Sequence, residues 1–517
     1  MLILIDQGPA SPHLLVVLSS CTKSSATVNM RLSVQSLALL SVLPASLAAP
    51  APSPAAAPAP IAAPAPIAAP APAVDAVQGL DERQLLSKLT SGLTSLVGGL
   101  LGQCDQAVKD GDAPKVLDIL QQLQPTSRPT NIEEAVARHS QIWASPTTRT
   151  DFFAAVATQI AGGLVLDDTL KAAFTGGLPF GENSINNNNP ATIGIYPKKD
   201  AADAPYTLSE SALRKALFIP PSFTYGAKRP VIFVPGTGSY GGTNFANNLR
   251  KLLTGKSYAD PVWLNIPDAM LADAQTNSEY IAYAINYISA VSRTNKENIA
   301  VISWSQGGLD TQWVLKYWPS TRKVVKDFLP VSPDFKGTVL ANALCLTPNS
   351  DIALLPCDPS VIQQEATSDF VASLRRNGGD SAYVPTTTFY SGLFDEVVEP
   401  QQGTIASAFI NDARNVGVSN NEVQKVCFGQ LAGSVYGHAG VLFNPLTYAL
   451  IVDALQNEGP GNVGRIDVKS VCSTYVAPGL DLDDVLATEG LIPIAGAALL
   501  IYPQKVYGEP ELRAYAR

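Results

Sequence analysis

The run Ile299-Ala300-Val301-Ile302-Ser303-Trp304-Ser305-Gln306-Gly307-Gly308-Leu309 changes character in its middle. It opens short, apolar and β-branched, which fits a buried strand. After Ser305 it continues Gln-Gly-Gly-Leu-Asp-Thr-Gln-Trp-Val-Leu, whose apolar spacing fits a helix. Strand, serine, helix is the pattern of a nucleophile elbow. Such a turn lifts a serine hydroxyl to the carboxyl edge of a sheet. It also leaves the N–H groups at the helix start free to hold an oxyanion. The usual spacing has glycine two residues before the serine; here Ser303 stands there, small enough for the turn to close. A serine in an ordinary strand–helix turn would read the same over five residues, so the surrounding chain has to decide.

Outward from the elbow, strands and helices alternate from about Leu208. Arg229–Pro235, Val262–Ile266, Val325–Val331 and Thr386–Ser391 read as strands. Asn244–Leu253, Ser278–Val291 and the stretch from the elbow to Tyr317 read as helices. This alternation predicts a mostly parallel sheet with helices on both faces, an α/β-hydrolase arrangement, with ligands at the carboxyl ends of the strands. A serine nucleophile needs a base beside it and an acid behind the base, in the chain order Ser, Asp/Glu, His. His438 is the only histidine after Ser305. His13 precedes the leader, and His139 lies in a helical pattern before the sheet, where a structural or surface role is expected. The acid belongs on a loop after a late strand. Asp395 in Phe394-Asp395-Glu396-Val397-Val398 is the first choice and Glu396 the alternative. Two oxyanion donors are expected: the N–H of Gln306, and Thr237 in the loop after Val234, which offers an N–H and a hydroxyl. That loop also contains Gly236-x-Gly238-x-x-Gly241, a dinucleotide fingerprint. The acid that such a site wants at the end of the next strand is missing: Asp260 precedes that strand and Asp268 lies beyond a proline.

Several motifs resemble Candida antarctica lipase B and its fungal relatives. They are Pro235-Gly236-Thr237-Gly238, Ser303-Trp304-Ser305-Gln306-Gly307-Gly308, Pro333-Asp334-Phe335-Lys336-Gly337-Thr338-Val339-Leu340, Val384-Pro385-Thr386-Thr387, Asp395-Glu396-x-Val398-x-Pro400 and Gly437-His438-Ala439-Gly440. The resemblance runs in unbroken order over about residues 208–517. It implies a lipase or carboxylesterase with Ser305 as nucleophile, His438 as base, Asp395 as acid and Thr237 and Gln306 as oxyanion donors. It further implies that Asp334 and Gln364 line the acyl side and Trp304 the floor of the alcohol side, and that Cys427 pairs with Cys472. No cofactor is implied. Partners would be an ester or lipid substrate and a lipid–water interface, and the chain is expected to be a monomer. An acyltransferase or lactonising enzyme would use the same triad. The family's disulfide near positions 218 and 262 is replaced here by Phe218 and Val262. Cys345 and Cys357, close in sequence, form a further expected pair that the family does not supply. They enclose an apolar, turn-rich segment that reads as a lid; Cys104 is left over.

Composition narrows the alternatives. Of 517 residues, 46% are hydrophobic and 15% charged, enough for a large core. The net charge of −9 without a basic block argues against nucleic acid. Three histidines and no Cys-x-x-Cys argue against zinc. Residues 1–29 read as a gene-model extension. Residues 30–49 carry a positive start, an apolar run and small residues near Ala48–Ala49, and read as a secretory signal. Scattered cysteines behind such a signal point to disulfides and an extracellular protein. Beyond the leader no stretch reads as long and apolar enough to span a bilayer. Residues 50–76 are a Pro/Ala-rich linker, 77–200 a helical region or pro-segment with helices at Val116–Leu123, Asn131–Trp143 and Phe152–Leu164, and 201–517 the catalytic domain.

Overall fold

A computed structural model describes residues 97–517, apart from 126, 144–146, 166, 175–179 and 346–351. The expected extension, leader and linker, residues 77–96 of the expected helical region and half of the inter-cysteine segment lie outside the described residues. Helices come first: α1 Val97–Lys109, α2 Ala113–Gln122, α3 Ile132–Ile142, α4 Arg149–Ala161 and α5 Asp167–Phe174. Three of them begin where a short polar side chain takes up a free N–H of the first turn. Asp112 accepts from Lys115, Asn131 from Glu134 and Thr148 from Asp151.

The strands are β1 Leu217–Phe218, β2 Pro230–Val234, β3 Asp260–Leu264, β4 Ile299–Trp304, β5 Val325–Val331, β6 Ile352–Cys357, β7 Thr386–Tyr390, β8 Val418–Glu422 and β9 Val506–Gly508. Seven form one sheet in the order β1-β3-β2-β4-β5-β7-β8, parallel throughout except for the β1 edge. The chain runs from β2 outward to β3 and then returns to lay β4 on the other side of β2. Loops leaving β2 and β4 therefore diverge and open a crevice at their carboxyl ends.

Side chains along these strands alternate between two cores. Ile232, Val234, Ile299 and Val301 meet Tyr283 and Ile285 of α6 (Ala274–Val291) and Leu309 and Trp313 of α7 (Gln306–Tyr317). Val231, Phe233, Ala300 and Ile302 meet Leu450 and Ile451 of α8 (Pro445–Gln456) on the opposite face. Both faces are covered by helices, which is why β2 is apolar at every position and β4 at all but Ser303, rather than at alternate ones. The second core continues without a break into Phe152, Phe153 and Val156 of α4 and Ile492 and Ile494 of the C-terminal helix.

That C-terminal element is a pair, α9 Leu482–Glu489 and α10 Leu491–Ile501, meeting at Gly490. By length and composition it meets the membrane-span criterion that the sequence reading found nowhere beyond the leader, but 83% of its apolar window is buried against the rest of the chain. Two other expectations are revised. Asn244–Leu253 is not one helix: Asn248 has a non-helical backbone and its side chain caps Leu249, so Gly241–Asn244 and Leu249–Leu253 are separate turns. The inter-cysteine lid segment is not all loop, because β6 pairs antiparallel with β9, matching Ile352 to Gly508 and Cys357 to Val506.

Candidate active site

Strand β4 ends at Ser305, whose φ of 54° and ψ of −130° lie outside ordinary L-residue backbone. Its N–H bonds to the Val331 carbonyl at 3.0 Å and its own carbonyl accepts from Gly308 at 2.7 Å. These bonds fix a conformation that costs of order 1–3 kcal/mol. The turn closes only because its neighbours lack side chains. A Cβ on Gly307 would sit 2.4 Å from the Pro235 carbonyl oxygen, and one on Gly236 would sit 2.7 Å from the Trp304 ring. Glycine in the Gly236-x-Gly238-x-x-Gly241 loop thus has a role at the elbow, with no need of a dinucleotide.

His438 lies 1% exposed, with Nδ1 at 2.9 and 3.0 Å from the two Asp395 carboxylate oxygens. Asp395 Oδ1 also accepts the backbone N–H groups of Val397 and Val398 at 3.1 and 2.8 Å, so the loop itself orients the carboxylate. Glu396, the alternative acid, takes a different atom: its Oε2 accepts the backbone N–H of His438 at 2.8 Å. The Trp304 indole and the Ser332 hydroxyl donate to the His438 carbonyl at 3.2 and 3.1 Å, holding the residue from the other side. Among the described residues, His438 Nε2 has no hydrogen-bond partner. Burial works against an imidazolium here, but Asp395, Glu396 and Asp334 outweigh it and hold the His438 pKa above its ordinary 6.5.

Thr237 and Gln306 face each other across the crevice. The Thr237 hydroxyl is 2.8 Å from Gln306 Oε1 and 3.1 Å from Gln364 Oε1. Gln364 Nε2 bonds to Gln306 Oε1 at 3.1 Å, closing a small amide–hydroxyl ring. The backbone N–H groups of Thr237 and Gln306 bond to no acceptor among the described residues. Ser305, His438, Thr237, Gln364 and Trp304 all line one cavity at the carboxyl ends of β2 and β4. Its remaining wall is almost wholly apolar.

Over 280 residues the chain is 36% identical to lipase B of Pseudozyma antarctica, an alignment covering 54% of this chain and 76% of that protein. The chain belongs to the lipase B family. It is also similar, at 45% identity and a TM-score of 0.71, to the crystal structure of Aspergillus fumigatus lipase B, covering 84% of this chain and 100% of that one. No family model matches it. As a lipase B family member it is an α/β-hydrolase of the lipase and carboxylesterase class.

Within this family member, the disulfides Cys345–Cys357 and Cys427–Cys472 are formed and Cys104 is free and buried. Phe218 stacks on Trp263, the neighbour of Val262, at 4.5 Å between ring centres, so an aromatic pair occupies the place of the missing family disulfide. Asp334 departs from its expected place on the acyl side. It is fully buried and not among the residues lining the cavity. Burial pushes its carboxyl up to about 7, and it acts on His438 through charge. Trp304 and Gln364 do line the cavity. The sequence reading missed the apolar wall: Phe152 from α4, Leu344 and Val361 around the Cys345–Cys357 bridge, and Ile492, Ala495 and Leu499 from α10. Their only signal was helical periodicity, which a core residue and a pocket residue share.

Proposed function

We propose that this lipase B family member is a secreted lipase or carboxylesterase that cleaves acylglycerols or other carboxylic esters through an acyl-enzyme. Ser305 Oγ attacks the ester carbonyl while His438 Nε2 takes its proton. Asp395 keeps the His438 Nδ1–H in place and stabilises the imidazolium that forms. The N–H groups of Thr237 and Gln306, with the Thr237 hydroxyl, donate to the oxyanion. His438 then protonates the departing alcohol, and water, activated by the same nitrogen, releases the acid. The apolar wall of the cavity suits an acyl chain. Secretion is supported by the leader pattern at residues 30–49 and by two disulfides, which persist in oxidising compartments.

The observation that carries this reading is the division of labour on one imidazole. Nδ1 is taken by Asp395, and Nε2 is free on a residue that shares a cavity wall with Ser305. The test is a p-nitrophenyl ester series with a serine-directed phosphonate. Labelling should map to Ser305 and abolish ester turnover. Counting free acid against transferred acyl group in the presence of an alcohol distinguishes hydrolysis from acyl transfer. Label on any other residue, or turnover that survives full labelling, would overturn the assignment.

A further inference from the structure

Behind the catalytic histidine lies a second set of buried titratable groups, assembled from three distant parts of the chain. Glu396 Oε2 accepts the His438 backbone N–H, as described. Its other oxygen, Oε1, is 4.0 Å from His139 Nε2, and His139 Nδ1 is 3.2 Å from Glu489 Oε2. Glu396, His139 and Glu489 are 2%, 3% and 4% exposed. His139 comes from α3 in the N-terminal helical region, Glu489 from the last turn of α9. Packing here leaves no slack. A Cβ on Gly437, the residue before His438, would lie 2.3 Å from His139 Nε2 and 2.8 Å from Glu396 Oε2. Glu489 is tethered in turn. The Gln159 amide donates to its carbonyl at 2.9 Å, and the Trp143 indole donates to Gln159 at 2.9 Å.

We propose that His139, with Glu489, is a positioning residue for the catalytic base, acting through Glu396, so that the N-terminal helical region supplies part of the ester-cleaving machinery. The inference rests on the triad reading above.

The chemistry follows from counting protons in a dry site. Ionising both carboxyls without a compensating cation is expensive. The groups facing the cluster are Asp395, Asp334 and His438; Arg138, next to His139, is turned away to Glu134 and to the Ser127 and Gly162 carbonyls. Burial holds Glu489 well above the usual carboxyl range and His139 down at about 4. Glu489 therefore keeps its proton, with its Oε2 3.2 Å from His139 Nδ1 but not in hydrogen-bond alignment. The neutral ring then carries its own proton on Nε2, 4.0 Å from Glu396 Oε1 and beyond hydrogen-bond reach. Burial, together with the charge of Asp395, pushes Glu396 up to about 7, so it sits near its titration point in the working range. Its charged form raises the His438 pKa. An N–H dipole 4.0 Å away in a dry site favours that charged form. His139 thus holds both the place and the basicity of His438 without touching substrate.

The experiment measures the pH profile of kcat/KM on a soluble ester for the full chain and for His139→Ala, Glu396→Gln, their double mutant and Glu489→Gln. Losing the His139 N–H makes Glu396 easier to protonate, which removes a negative neighbour of His438 and lowers its pKa. The acid limb should move down by about one pH unit in His139→Ala. It should move as far in Glu396→Gln and no farther in the double mutant. kcat should fall roughly ten- to a hundredfold with KM within about twofold, as expected of a misplaced base. Glu489→Gln keeps a neutral group beside Nδ1 and should leave the limb in place. Should His139→Ala fail to fold, His139→Met fills the space without an N–H and takes its role. An acid limb unmoved in both His139 and Glu396 variants, with only thermal stability reduced, would make the cluster plain core and overturn the proposal. Failure of the unaltered protein to take a phosphonate at Ser305 would instead sink the triad reading.

Discussion

Thr237→Val isolates the oxyanion donor from the fold. The two side chains are close in shape, so what changes is one hydroxyl on the cavity wall. In the resting protein that hydroxyl lies between Gln306 Oε1 and Gln364 Oε1, at 2.8 and 3.1 Å. Removing it does not orphan Gln306 Oε1, which keeps the Gln364 Nε2 donor at 3.1 Å. The stability cost is therefore one net hydrogen bond, about 1 kcal/mol. The transition state loses more, because the hydroxyl turns from a neutral amide oxygen to a developing oxyanion. Loss of a single such donor lowers kcat by about 10²–10³, or roughly 2.7–4 kcal/mol. The Thr237 and Gln306 N–H groups remain, so activity should fall and not vanish. Steady-state kinetics on a short soluble ester give kcat and KM separately, and thermal unfolding gives the stability term. A changed KM with kcat intact would mean that Thr237 only binds substrate. A stability loss several times larger than one hydrogen bond would mean that the amide–hydroxyl ring is structural.

Ser305→Ala and His438→Ala should each lower ester turnover by about 10³–10⁶, and the double mutant by no more, because the residues act as one unit. Asp395→Asn should also be severe, since Asp395 holds Nδ1 while Glu396 holds only the backbone N–H; kinetics of both amide variants check the assignment. In the proposed mechanism His438 works as a neutral base, and its pKa is raised. The acid limb of kcat/KM in the unaltered protein should therefore have its midpoint above 6.5, with activity lost as pH falls through it. Replacing Cys345 and Cys357 by Ser opens a loop of sequence separation 12 and should cost roughly 3 kcal/mol of stability. Leu344 and Val361 beside that bridge line the cavity. The ratio of long-chain emulsion activity to short-ester activity should shift as well; a constant ratio with a lower melting temperature would make the bridge purely structural.

The proposed triad could be nominated from the sequence because it depends on order and scarcity. One serine stands on a strand-to-helix turn, one histidine follows it, and a carboxylate pair lies between. Strand β5 was read to the residue and β4 to its boundary at the elbow because both are mostly buried and mostly apolar, Lys326 and Asp327 of β5 and Ser303 of β4 excepted. Strand β8, Val418-Ser-Asn-Asn-Glu422, was not read. It is a polar edge strand whose Asn420 and Asn421 spend their side chains on Thr388 and the Ile410 carbonyl. Strand β1 has only two residues, too few for any period to register. Asp334 was assigned to the pocket by resemblance; it is fully buried and is not among the residues lining the cavity. His139 was read as a structural or surface residue, and the fold buries it. Nothing in its local sequence announces that residues 396 and 489 close around it, since those contacts span more than two hundred positions.

The sharing of one core by the first and last helices has a consequence for biosynthesis. Phe152, Phe153 and Val156 bury their apolar surface partly against α10, and Gln159 finds its partner in the Glu489 carbonyl 330 positions later. At ribosomal rates of roughly 5–20 residues per second, α4 waits about 15–65 seconds between emerging and meeting that partner. Through that interval a helix whose apolar face carries Phe152, Phe153 and Val156 has no permanent cover. Nascent chains stalled before α9 should therefore be captured by chaperones and cut readily within α3–α5 by added protease. Chains released after α10 should resist the same treatment.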